Sequence, residues 1–171
     1  MRDHFFNQRF GETAPNLLNA MKEGSAYVDR FPGNQGLGGA PEHATTPLFG
    51  DQGEAFKAMC AFVKDQMDQF RGNLNNGELQ KAYHHLGQAM HTVQDSTSPL
   101  HSGMQTWPGK NAHHHGNDRG SGFIGSNLPS SYEGMNALTP QLEIQTLNLM
   151  GAVASGDYSV MKHGKKDCGQ F

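Results

Sequence analysis

The sequence predicts an all-α fold, a helical bundle whose helices are joined by long glycine-rich loops. Four segments carry apolar residues at helical spacing, and no segment of useful length alternates apolar and polar residues as a half-buried strand does. Only 35% of the residues are hydrophobic and 22 are glycine, which indicates a modest core and a large share of loop. Because 171 residues is the size of one ordinary domain, we expect a single domain over residues 1–171.

The first two helices are predicted over residues 16–28 and 54–70. Pro15 precedes the first, where proline suits the opening turn of a helix. The second carries an apolar stripe from Phe56 to Phe70, and the sequence RGNLNNG should end it. The proline- and glycine-rich stretch between the two helices is expected to be neither helix nor regular strand.

The third and fourth helices are predicted over residues 78–95 and 139–154. Asn76 is a plausible N-cap of the third, and Thr139 with Pro140 should begin the fourth. Residues 102–132 have no sustained period, and we expect a long loop there. The third helix combines an apolar side with a polar stripe on a helix that should be largely buried. This stripe contains His84, Gln88, His91 and Asp95.

The net charge and the absence of targeting signals exclude few classes of function. The net charge of −3 provides no basic stripe for a nucleic-acid backbone, although bound divalent ions would attract a phosphodiester to one place. We expect no transmembrane segment and no signal peptide, because no apolar run is long enough. Cys60 and Cys168 form no CxxC pair, and a disulfide between them stays open.

The ten histidines are the unusual feature of the composition, and they indicate metal binding. His91 and Asp95 stand at i and i+4, so their side chains leave adjacent helical turns about 5–6 Å apart at Cβ and could share one ion. Imidazole nitrogen and carboxylate oxygen are ligands that zinc prefers. His101, just past Pro99, could approach the same region. For the HxxxD pair alone, a merely solvated helix face is the competing interpretation.

The string HHLGQAMHTVQDSTSPLH resembles the central motif of the zinc-dependent phospholipases C and the related single-strand-specific nucleases. These proteins share an all-helical fold, a trinuclear zinc site and the pattern HxxxDxxxxxH, filled here by His91, Asp95 and His101. The resemblance implies that His91 and Asp95 bind zinc, with the aspartate bridging two ions. It also implies that His101 serves a separate third zinc.

The resemblance extends upstream to Asp29 and His43, whose separation matches that of an aspartate and a loop histidine in the phospholipases. It implies that His43 joins His91 and Asp95 on one zinc. Asp29 is then the candidate catalytic residue, as general base or as the group that orients the attacking water. Taken alone, Asp29 would be a surface carboxylate and His43 a loop residue.

Downstream, the family completes the third-zinc site with a histidine followed four residues later by Glu or Asp. His114 and Asp118 have this spacing, and we prefer them as ligands. His115 competes, because it follows His101 at the phospholipase spacing, but Arg119 stands four residues after it.

The family's zinc site also uses the N-terminal residue and a nearby histidine. His4 is the candidate for that histidine, while Met1 departs from the usual Trp.

The sequence therefore predicts a hydrolase of phosphodiester bonds with two or three Zn²⁺ ions and a phospholipid or other phosphodiester substrate. A phospholipase C is favoured by the Asp29–His43 and His101–His115 spacings. A nuclease acting on single-stranded DNA or RNA is the first alternative, and a non-catalytic zinc-binding interaction module is the second. Small size and glycine-rich inserts resemble toxin modules of polymorphic secreted bacterial proteins, which implies a secreted or delivered effector domain with a cognate immunity protein.

Overall fold

The computed structural model describes residues 14–30, 37–98, 101, 103–107 and 140–171. These residues form four α-helices: α1 (Ala14–Arg30), α2 (Gln52–Asn75), α3 (Leu79–Thr97) and α4 (Pro140–Ser155). The prediction of an all-α fold is thereby confirmed. Helix α3 lies at the centre, since α1, α2 and α4 all pack against it.

Short elements connect and flank the helices. They are a 3₁₀ helix (Leu37–His43), β1 (Thr46–Pro47), β2 (Thr106–Trp107), a 3₁₀ helix (Tyr158–Val160), β3 (Lys162–His163), β4 (Lys166–Asp167) and a 3₁₀ helix (Cys168–Gln170). Strands β1 and β2 pair in parallel, with Thr46 opposite Thr106. Strands β3 and β4 form an antiparallel hairpin. None of the helices in the described ranges has the length and hydropathy that a membrane span requires.

The main core lies between α2, α3 and the C-terminal segment. Phe56, Met59 and Met67 of α2 are buried there, together with Val93 of α3. A smaller cluster joins α1 to the first half of α3. The apolar stripe predicted for α2 is therefore the face that the protein buries.

The link between α2 and α3 differs from its prediction. Helix α2 continues through the RGNLN sequence, and Asn76 is its C-cap, with its backbone N–H bonded to the carbonyl of Gly72. Asn76 is therefore not the N-cap of α3, a position that Glu78 occupies without a side-chain capping bond. The break occurs at Gly77, whose φ of +76° lies in the left-handed region that glycine adopts without steric cost.

The segments that precede α2 and α4 are both predicted to be irregular or loop-like. The prediction of neither helix nor regular strand before α2 is wrong in part, because the 3₁₀ helix Leu37–His43, with Pro41 inside it, and strand β1 form there. Residue 139 and residues 108–132 lie outside the described residues, so the predicted Thr139 cap and most of the predicted long loop are untested.

Two glycines let α1 and α3 approach to backbone contact. A methyl carbon built on Gly24 would lie 1.9 Å from the carbonyl oxygen of His84, and one built on Gly87 would lie 2.0 Å from that of Met21. Real carbon atoms cannot approach so closely, so neither position has room for a side chain. The glycines thereby set the separation between the two helices, each of which carries a residue of the site described below.

Cys60 and Cys168 form a disulfide, which the sequence left open. Cys60 lies on α2 and Cys168 begins the last 3₁₀ helix, and both are buried in the main core. The bond spans a sequence separation of 108 residues and ties the C-terminal segment to α2. Closing so long a loop restricts the unfolded chain more than the folded one.

We expect replacement of both cysteines by serine to lower the free energy of unfolding by about 4 kcal/mol, mainly because the unfolded chain regains its entropy. Denaturant titration of the oxidised protein and of the double variant measures the difference. Reduced wild-type protein is the control and should resemble the double variant. Equal unfolding midpoints before and after reduction would argue against the bond.

Candidate metal centre

Asp95 lies at the centre of a group of histidines. Its Oδ2 is 3.1 Å from Nδ1 of His43, 3.2 Å from Nε2 of His91 and 3.6 Å from Nδ1 of His101. All four side chains are buried. One carboxylate oxygen therefore faces three imidazole nitrogens, an arrangement that needs protons on those nitrogens or a cation shared among the groups.

Asp29, which lies on α1, completes the group. Its Oδ1 lies 3.5 Å from Nε2 of His91, and one ligand atom from each of Asp29, His43 and His91 lies within 4.8 Å of the others. These three residues come from α1, the first 3₁₀ helix and α3. The Asp29 side chain is 42% exposed, whereas that of His91 is 8% exposed. The group could therefore hold a metal ion that solvent reaches from the Asp29 side.

The charge state of Asp95 suits a metal ligand. Burial alone would raise the pKa of its carboxyl, but electrostatic interaction with His91 and His101 and hydrogen bonds from His43 and His91 lower it well below the usual range. Asp95 is thus a carboxylate at neutral pH. A buried carboxylate of this kind requires compensating positive charge, which imidazolium or a bound cation supplies.

Backbone contacts fix His43 next to α3. The Thr92 hydroxyl, one residue after His91, donates to the carbonyl of Glu42 at 2.6 Å. Nδ1 of His101 donates to the carbonyl of His43 at 2.8 Å. That bond assigns the proton of His101 to Nδ1 and leaves Nε2 as the nitrogen able to bind a metal. The chain turns away directly after His43, where Ala44 has a φ of +52°.

Ser25 orients His91 from the facing helix. Its hydroxyl oxygen lies 3.3 Å from Nδ1 of His91, so Nε2 of that ring is directed towards Asp29 and Asp95. A hydrogen bond to the second ring nitrogen commonly fixes the orientation of a metal-binding histidine. Ser25 was missed at the sequence level. Its signal was its position four residues before Asp29, which places both on one face of α1.

The predicted residues fall into two sets. The structure brings together Asp29, His43, His91, Asp95 and His101. Asp29 was expected as a catalytic residue beside the ligands, and it lies among the potential ligands themselves. The predicted ligands His4, His114 and Asp118 lie outside the described residues, as does the competitor His115.

His84 and His85 of α3 take part in packing. The His84 ring meets the Tyr27 ring with centroids 5.6 Å apart, and its Nδ1 contacts Gln88. Nδ1 of His85 lies 2.8 Å from the side-chain oxygen of Gln66 on α2. Desolvation by burial lowers the pKa of His85, with a further contribution from the charge of His84. The contacts with Tyr27 and Gln66 hold α3 against α1 and α2.

Comparison with protein-family models, curated proteins and solved structures finds no match to this chain. The functional interpretation therefore depends on the residues of the site and on the resemblance of the motif that contains His91, Asp95 and His101.

Proposed function

We propose that this protein is a zinc-dependent hydrolase of phosphodiester bonds. The observation that carries the proposal is the convergence of Asp29, His43 and His91 within 4.8 Å, with Asp95 in contact with both histidines. His43, His91 and Asp95 offer two imidazoles and one carboxylate, a donor set that zinc accepts in catalytic sites. A structural zinc site commonly uses cysteine thiolates as ligands. The only two cysteines of this sequence are joined in the disulfide and are not available for that role.

Each residue of the site has a role in this proposal. His43, His91 and Asp95 would hold the ion, and zinc supplies a water of lowered pKa and a Lewis acid for phosphate oxygens. Asp29 lies at the open edge of the group, where it can accept a proton from the attacking water or orient it. Ser25 keeps the ring of His91 in place, and the depressed pKa of Asp95 keeps that ligand ionised.

A phospholipid is the first substrate to test. The spacing of Asp29 and His43 supports it, because the phospholipase family has the same separation and the structure brings these two residues to one place. Phosphatidylcholine and single-stranded DNA, each offered with added zinc, would decide between a phospholipase and a nuclease. Two or more zinc ions per chain with hydrolysis of neither substrate would contradict the enzymatic proposal.

Asp29→Asn should spare bound metal and lower turnover by a factor of about 10² or more, because the amide keeps an oxygen for contact but cannot accept a proton. Metal content per chain and the hydrolysis rate of a soluble phosphodiester measure the two effects. Asp68→Asn is the matched control, since the exposed Asp68 carboxylate pairs with Arg71 of the same helix. Wild-type turnover in Asp29→Asn would refute the role assigned to Asp29.

The disulfide supports a location in an oxidising compartment, because such bonds persist mainly in secreted and periplasmic proteins. We infer a secreted or delivered effector domain, for which a cognate immunity protein would be a partner. Expression with and without export to an oxidising compartment, followed by thiol titration, tests this. Equal amounts of stable, fully reduced protein from both would argue against it.

A further inference from the structure

A tight turn after β1 presents two apolar side chains to solvent. The N–H of Gly50 donates to the carbonyl of Pro47 at 2.8 Å, which closes a four-residue turn with Leu48 and Phe49 at its tip. Against the described part of the chain, Phe49 is 97% exposed and Leu48 is 41% exposed. We call these two residues the apolar tip.

The backbone at Phe49 is unfavourable for its side chain. Its φ is +67°, a left-handed value that a type II turn requires at its third position and that glycine or asparagine normally supplies. A bulky residue there is an outlier, and strain of this kind is concentrated at functional sites. Because the Phe49 ring is exposed, packing within the described residues does not offset the backbone strain. A contact with a surface beyond the described residues would account for it.

A basic hairpin contacts the helix that follows the apolar tip. Strands β3 and β4 expose Lys162, Lys165 and Lys166 around a turn at Gly164. The amine of Lys166 is 3.3 Å from the position that a Cβ on Gly53 would take, and the ring of His163 stacks against Phe56. The hairpin therefore packs against the first turns of α2.

The turn with the apolar tip ends one residue before the N-cap of α2, Asp51. Tip and hairpin thus flank the same helix start. Two of the carboxylates nearby are engaged in capping bonds, since Asp51 accepts from the N–H of Glu54 and Asp167 accepts from that of Gly169, while the Glu54 side chain is exposed.

The same region adjoins the candidate metal centre. Pro47 follows His43 by four residues, which limits their Cα separation to about 14 Å. On the other side, a small cavity is lined by His101 together with Lys162 and His163 of the hairpin. A surface held at the apolar tip and the hairpin would therefore lie close to the site.

We propose that the apolar tip and the lysines of the β3–β4 hairpin dock this protein on an anionic phospholipid bilayer. Leu48 and Phe49 enter the headgroup region, while the three lysines lie against anionic headgroups. Apolar insertion combined with basic charge is the usual basis of reversible binding at a membrane surface. The proposal rests on the proposed function and deepens it. Docking would bring the metal centre to the phosphodiester of the lipid.

Co-sedimentation with vesicles of phosphatidylcholine, with or without phosphatidylglycerol, tests the docking. We expect binding that needs phosphatidylglycerol and weakens with salt. Phe49→Gly should weaken binding about tenfold, because it removes the inserting ring. It should also keep or raise the unfolding midpoint, since glycine suits the backbone. Leu74→Ala is the control, because Leu74 is as exposed as Leu48 of the apolar tip but lies about 30 Å along α2 from Gly53.

Hydrolysis of a soluble phosphodiester separates this proposal from the proposed function. Phe49→Gly should leave that rate unchanged and lower the rate on vesicles. Vesicle binding that depends on Phe49, without hydrolysis of any phosphodiester, would support docking and overturn the proposed function. Hydrolysis of the soluble substrate by wild-type protein that does not bind vesicles would overturn docking alone. Equal binding by wild type and Phe49→Gly would also overturn it.

Discussion

Replacing His91 with alanine should abolish bound zinc and phosphodiester hydrolysis together. Nε2 of His91 is the atom that contacts both carboxylates, at 3.5 Å from Asp29 and 3.2 Å from Asp95. Without it, Asp29 on α1 loses its contact with the buried part of the group. Loss of supporting residues alone typically lowers metal affinity 10–100-fold, so loss of a ligand should lower it by a factor of about 100 or more.

Metal content after dialysis, zinc affinity and hydrolysis rate measure this loss, and circular dichroism reports whether the helices persist. His84→Ala is the matched control, because His84 lies on the same helix but contacts Tyr27 and Gln88 rather than the group around Asp95. It should keep metal and turnover. If His91→Ala retains one zinc per chain with normal turnover, the metal centre is elsewhere.

The part of the site that lies on one helix could be predicted directly from the sequence. His91 and Asp95 are four residues apart, and helix geometry alone brings such side chains together. The structure has the expected contact at 3.2 Å. The apolar side of the same segment predicted burial of the helix, and α3 is indeed central. Local periodicity was sufficient for both results.

Contacts between elements could not be predicted in the same way. Only the family resemblance points to Asp29 and His43, and nothing in the sequence predicts the position of Asp29 among the potential ligands. That position depends on how closely α1 approaches α3. His43 depends on a 3₁₀ helix held by Thr92, in a stretch where proline and glycine predicted irregular structure.

The C-terminal segment shows a second limit of the sequence. Strands β3 and β4 have two residues each, which is too short for any alternation to be visible. The pairing of Cys60 with Cys168 depends on the packing of that segment against α2, so two cysteines alone could not establish it.

Replacing Gly87 with alanine should lower the free energy of unfolding by about 3 kcal/mol, at the upper end of the cost of overpacking. The new methyl group would lie 2.0 Å from the carbonyl oxygen of Met21 and 2.9 Å from the backbone nitrogen of Ser25. These are backbone atoms of α1, so rotation of a side chain cannot relieve the clash. The two helices must move apart, and denaturant titration measures the cost.

The same displacement should weaken metal binding. Ser25 and Asp29 both reach His91 across the interface that Gly87 keeps narrow, at 3.3 Å and 3.5 Å. Moving α1 outwards removes Ser25, the group that orients His91, so zinc affinity should fall about tenfold or more.

Gly151→Ala on α4 is the matched control, because nothing lies within 4 Å of its Cβ position. It should raise stability by about 0.5–1 kcal/mol through helix propensity and leave zinc affinity unchanged. Gly87→Ala has the same gain in propensity, so the difference between the two variants isolates the contact between the helices. If both variants gain stability and keep zinc, α1 and α3 are not in backbone contact, and Asp29 would no longer be held beside His91.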